Sequence, residues 1–99
     1  MIEILAPYKE TADAVVKHFA TQSAVARVLG YEDLRNVTPW TTGKRQFPPE
    51  HCVTIERESG GVITCEYLNP EQQWLRVKDK AWPHPSGRPV IDHAAKQGA

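Results

Sequence analysis

Gly30 separates two short amphipathic stretches, and that break most constrains the chain: its centre is two short helices joined by a turn, not one long helix. Thr21 opens the first stretch with a side-chain oxygen able to accept from an orphan N–H at a helix start. Val25, Val28 and Leu29 recur at the spacing of one buried helical face, and Ala26 is small enough to let a second helix cross closely. Beyond Gly30, Glu32 and Asp33 are acids suited to a helix N-terminus, and Leu34 and Val37, three apart, give the second helix a buried face. This second helix is expected to start near Asp33 and to close by Val37 or Thr38, because Pro39 has no N–H and biases Thr38 away from helical geometry. Two short helices around a glycine turn make a helix-turn-helix, whose second member can lie in the DNA major groove. The same pattern also fits a helical hairpin that only packs a core.

The rest of the chain frames this unit. Met1 to Ala6 is a short apolar lead or a partner-packing arm. A first helix is expected from about Tyr8 to Phe19, with Ala12, Val15, Val16 and Phe19 on one side. Trp40 reads as a core plug. The loop TTGKRQFPP leads to Pro49, which suits the first position of a helix through EHCVTIERES, with Cys52, Val53 and Ile55 facing the core. Gly60-Gly61 ends that helix, Val62 and Ile63 return to the core, and Thr64 caps a last short helix, CEYL. Trp74 packs back after the Asn69-Pro70-Glu71 turn. WLRVKD alternates and has an extended look, but the residues after it are rich in proline and poor in periodicity. The expected organisation is therefore one domain over residues 1–74, built of about five short helices, and an extended or flexible tail or partner-binding arm over 75–99.

Composition narrows the function. Twelve basic and twelve acidic residues give a formal charge of zero, which argues against a protein coated in positive charge. The distribution is uneven: residues 72–99 carry five basic and two acidic side chains, and the only charges between Leu34 and Pro49 are Arg35, Lys44 and Arg45. Cys52 and Cys65 lack CxxC spacing and read as reduced, partly buried residues; His51 beside Cys52 does not add up to four metal ligands, so neither metal nor cofactor is expected. No apolar run approaches the roughly 18 residues of a membrane span, and the start lacks the pattern of an export signal, so the expected location is the cytoplasm. No nucleophile–His–carboxylate pattern or glycine-rich phosphate cradle occurs, and Asp92-His93 sits in a segment that cannot hold catalytic groups in register; an enzyme is not expected.

Two blocks are recognisable. QSAVARVLG followed by a tryptophan, and then GKRQFPPEHCVTIERESGGVIT, resemble the Cro-like YdaS family of prophage transcriptional regulators over roughly Ala12 to Pro70. The resemblance implies a compact all-α, lambda-repressor-like fold of about five helices that binds operator DNA, usually as a homodimer. It also admits a second class of function, an antitoxin-like module that neutralises a partner protein from the same prophage. One departure stands out: nine residues, Tyr31 to Pro39, separate the glycine from the tryptophan, one more than the family usually has.

Groove geometry then assigns candidate contacts to double-stranded DNA. Thr21, Gln22 and Ser23 at the first helix start suit phosphate. On the second helix Arg35 suits guanine, Asn36 adenine and Thr38 several bases. Glu32 and Asp33 either accept from cytosine N4 or cap the helix. Lys44 and Arg45 either anchor backbone phosphates or are simply solvated. Arg35 has a competing partner in Glu32 on the helix surface.

Overall fold

The structure, a computed structural model, describes residues 7–92 of the chain. The expected arm Met1–Ala6 and the last seven residues, including His93 of the Asp92-His93 pair, lie outside the described residues. The chain divides into two units at the Phe47–Pro48 junction.

The first unit begins with α1 (Lys9–Phe19), whose Ala12 and Val15 are fully buried, as the helical spacing of its apolar residues requires. A bend at Ala20, with φ +84°, leads to α2 (Gln22–Val28). Thr21 is extended and its Oγ1 accepts from the Ala24 N–H at 3.0 Å, the expected N-cap. The helix ends in a full Schellman motif. Gly30, at φ +87°, donates to the Arg27 carbonyl, and Tyr31 donates back to the Ala26 carbonyl.

The second helix of the pair departs from expectation. It is a 3-10 turn over Leu34–Asn36, followed by a separate single α turn, α3 (Thr38–Thr41). Pro39, expected to end a helix, lies instead in the first turn of one, where its missing N–H leaves no intrahelical bond unmade. Val37 is fully buried, but Leu34 is 39% exposed and does not share the buried face expected of it. A 3-10 turn has three residues per revolution, so positions three apart do not face the core as α-helical spacing would place them. Trp40 is half-buried, with its ring centroid 6.0 Å from Tyr31 and 6.3 Å from Phe47; Phe47, at 2% exposure, occupies the buried position expected of the tryptophan.

The second unit starts with α4 (Pro49–Glu58), with Pro49 in its first turn, and buries Cys52, Ile55 and Glu56. Ile63 is buried as expected, whereas Val62 is 72% exposed. Thr64 caps α5 (Cys65–Leu68), its Oγ1 accepting from Tyr67 N–H at 3.2 Å. Trp74 packs back as expected, donating its indole N–H to the Asn69 carbonyl at 3.0 Å.

The expectation of an all-α chain is corrected here. β1 (Trp74–Val77) and β2 (Arg88–Ile91) pair antiparallel, with Trp74 opposite Ile91 and Leu75 opposite Val90. The alternation of WLRV is genuine strand periodicity, turning Trp74 and Arg76 inward and Leu75 and Val77 outward. The tail expectation is corrected as far as Asp92, whose N–H donates to the Gln73 carbonyl at 2.8 Å. The proline-rich connection lacks periodicity but gains order from specific polar contacts of Trp82 and Gly87. No described helix is long and apolar enough to cross a membrane.

Candidate nucleic-acid interface

All ten candidate contact residues fall in the first unit. At the start of α2, Thr21 and Ser23 are exposed and Gln22 is half-buried. The Thr21 hydroxyl oxygen is engaged in capping, so Ser23 offers the freer hydroxyl of the two.

The turn after Gly30 carries the most specific geometry. Asp33 caps the 3-10 turn, its Oδ1 accepting from the Arg35 N–H at 2.9 Å. The same carboxylate holds the Arg35 side chain: Nη2 donates to Oδ2 at 2.8 Å, and Nε to Oδ2 at 3.1 Å. Arg35 thus pairs with Asp33, not with Glu32, and of the two uses weighed for Asp33 the structure realises capping. Arg35 holds its neighbour's carboxyl below the ordinary aspartate range through the side-chain and backbone hydrogen bonds, and the guanidinium pKa is raised in return. The Arg35 side chain is nonetheless 90% exposed. A guanidinium has five N–H donors, and this pair engages those at Nε and Nη2, so Asp33 orients Arg35 and leaves donor capacity over.

Asn36 and Glu32 are exposed beside it. Thr38 is half-buried, and its hydroxyl donates to the Leu34 carbonyl at 3.0 Å, which commits that proton to the turn. Lys44 and Arg45 are exposed on the following loop, which is tied down by the Arg45 N–H donating to the Pro39 carbonyl at 2.9 Å.

An open hollow of about 680 Å³ lies between α2 and the 3-10 turn, with Ser23, Arg27, Glu32 and Leu34 in its lining. It brings two of the candidates, Ser23 and Glu32, to one surface. Arg27 and the exposed side of Leu34 belong to it as well, and sequence reasoning missed both. The signal for Arg27 was present: it stands outside the buried Val25–Ala26 pair and three residues before Gly30. Nothing in the sequence signalled Leu34, because the 3-10 geometry that exposes it has no distinctive spacing.

The second unit's polar chemistry is internal. Glu56 is wholly buried, and its carboxylate accepts from Cys65 N–H at 2.9 Å, Arg76 Nη2 at 2.7 Å and Trp82 Nε1 at 2.6 Å. Burial pushes that carboxyl up, but these donors outweigh it and hold it below the ordinary glutamate value. Cys52 and Cys65 are buried thiols; burial, reinforced by Glu50, pushes Cys52 up to about 12, and burial likewise raises Cys65. Such thiols carry almost no thiolate at neutral pH and are poor nucleophiles. Among the described residues no group of three or more His, Cys, Asp or Glu side chains could hold a metal ion.

A short α2, a capped 3-10 turn and an exposed, carboxylate-held arginine on a mostly helical chain define a small helical protein with a polar surface built on one turn. The chain belongs to the family described as "Bacterial toxin YdaS", whose model matches residues 13–77. It is 42% identical over 60 residues to a protein of Escherichia coli (strain K12) described as "Putative transcriptional regulator YdaS", covering 61% of this chain and 60% of that relative. No solved structure matches the chain.

Proposed function

We propose that this protein is a sequence-specific DNA-binding transcriptional regulator of a phage or prophage, a Cro-like repressor that binds operator DNA through the α2–turn–α3 unit acting as a compact helix-turn-helix. The observation that carries this reading is Arg35, exposed over 90% of its side chain yet held by Asp33. A carboxylate-buttressed arginine loses little conformational freedom when it bonds the O6 and N7 of guanine. Asn36 beside it suits adenine. Thr21, Gln22 and Ser23, with Lys44 and Arg45 on the loop, supply phosphate contacts that set register without reading sequence. The description of the Escherichia coli relative as a transcriptional regulator supports the same reading.

The unit is short, so one copy reads few bases. Useful specificity then requires a homodimer on a pseudo-palindromic operator, with half-sites about 10 base pairs apart. The action is binding, not catalysis, and takes place in the cytoplasm. In this reading the first unit, up to Phe47, makes the DNA contacts, and the exposed Leu75 and Val77 of the hairpin are available to a partner.

The family's description as a bacterial toxin points to a toxin–antitoxin setting, in which the second reading is an antitoxin-like interaction module that neutralises a protein encoded beside it in the same prophage. Gel shift against the DNA upstream of its own gene, with and without the neighbouring gene product, separates the two. Retardation by the protein alone supports the regulator. No retardation, together with a stable complex between the two proteins, supports the module.

A further inference from the structure

We propose that Leu34 is a specificity-determining residue that reads the 5-methyl group of a thymine next to the base bonded by Arg35; this rests on the DNA-binding reading above. Leu34 opens the 3-10 turn, one residue before Arg35, and keeps 39% of its surface exposed. Its backbone is pinned: its carbonyl accepts from Val37 N–H at 3.0 Å and from the Thr38 hydroxyl at 3.0 Å. The residue before it, Asp33, caps the turn and fixes Arg35. An apolar side chain therefore projects from a pinned backbone in a row of polar ones, with Glu32, Arg35 and Asn36 all exposed around it. Folding uses only part of this leucine's surface, and the hollow beside it is open enough to admit the edge of a base.

Major-groove chemistry supplies the occupant. Every base pair presents hydrogen-bonding groups in that groove, and thymine adds to its O4 acceptor a C5-methyl, an apolar feature recognised by apolar contact. A polar row interrupted by one apolar side chain matches a base sequence in which a guanine lies beside a thymine. Burying one methyl group against leucine is worth roughly fourfold in affinity.

The experiment uses the full chain and the footprinted DNA upstream of its gene, with each thymine in turn replaced by uracil, which removes only the methyl group. Wild-type protein should lose about fourfold at one thymine per half-site, adjacent to the guanine at which Arg35→Ala loses its preference. Leu34→Ala should bind thymine and uracil alike there, while Leu34→Met, which keeps an apolar contact, should retain the preference. Circular dichroism and affinity for random DNA check that each variant is folded; if Leu34→Ala is not, loss of the preference in Leu34→Gln and its retention in Leu34→Met carry the test. A footprint with no thymine-to-uracil penalty, or a penalty that Leu34→Ala and Leu34→Gln both keep, overturns this inference alone. A kept penalty with altered sedimentation of the free protein would assign Leu34 to a protein contact and overturns it equally. Absence of any sequence-specific footprint overturns the DNA-binding reading and this inference together.

Discussion

Glu56 on α4 and Arg76 on β1 are joined across twenty residues of chain, with Arg76 Nη2 donating to Glu56 Oε1 at 2.7 Å. Around this pair the second unit closes. Arg76 Nη1 also donates to the Gly87 carbonyl at 2.8 Å and its Nε to Glu66 at 3.0 Å, while the Trp82 indole reaches the other Glu56 oxygen. A buried carboxylate so fully hydrogen-bonded holds a proline-rich connection that has no periodic apolar face of its own.

Glu56→Gln should therefore destabilise the protein strongly. It removes the charge that Arg76 was buried to meet, and breaking a buried pair from one side typically costs about 3–5 kcal/mol; retention of Glu66 by Arg76 places this case near 3. Urea unfolding followed by tryptophan fluorescence measures it. A loss below about 1 kcal/mol would mean that the hairpin is held by other contacts.

Acid should act through the same group. The folded-state pKa of Glu56 is depressed below 4.5, so its contribution is fully present above that pH and disappears as pH falls through the lower folded-state value. Stability should decline below about pH 4.5 in wild type, and the decline should be shallower in Glu56→Gln. Equal slopes for the two proteins would assign acid sensitivity to other carboxylates.

Two glycines with left-handed backbone should respond differently to alanine. At Gly30 a Cβ would meet open space, so only the backbone cost of about 1 kcal/mol applies. At Gly87, φ is +100° and a Cβ would stand 2.2 Å from the Val77 carbonyl oxygen, so backbone strain and a steric clash combine. Thermal melting should rank Gly87→Ala well below Gly30→Ala; the reverse order would contradict the β1–β2 closure.

Lys44 and Arg45 should behave as phosphate anchors. Replacing both by alanine should weaken operator and random DNA to a similar degree and flatten the plot of log affinity against log salt by roughly 0.9 per lost contact. An unchanged slope would leave both side chains as merely solvated.

Arg35→Ala should weaken operator binding by roughly tenfold or more and relax preference at one base pair per half-site, with a much smaller effect on random DNA. Asp33→Ala should erode the same preference less, because it frees the guanidinium without removing it and also removes the cap of the turn. Titration of a base-substituted operator series with each variant measures this; a flat response across the series for Arg35→Ala would exclude it as a reader.

Local chemistry sufficed for much of this molecule. Thr21 and Thr64 cap helices, Pro49 starts one, and Gly30 ends one, because each acts on hydrogen bonds within a few residues of itself. The fully buried Val15, Val25 and Ile55 follow equally from helical spacing. The turn after Gly30 lay at the limit of that logic. Asp33 as a cap was legible, but whether Pro39 ends a helix or begins one depends on how the backbone on either side is held, and the α-helical spacing of Leu34 and Val37 says nothing about a 3-10 turn that exposes one and buries the other. Apart from the packing of Trp74 and the alternation of WLRV, residues 74–92 lay beyond it. Their order comes from a carboxylate on α4 meeting Arg76 and Trp82, twenty and twenty-six residues further along the chain. A charge inside an amphipathic helix gives no sign of which distant partner will desolvate it, so only the tertiary structure could decide that this stretch is a hairpin.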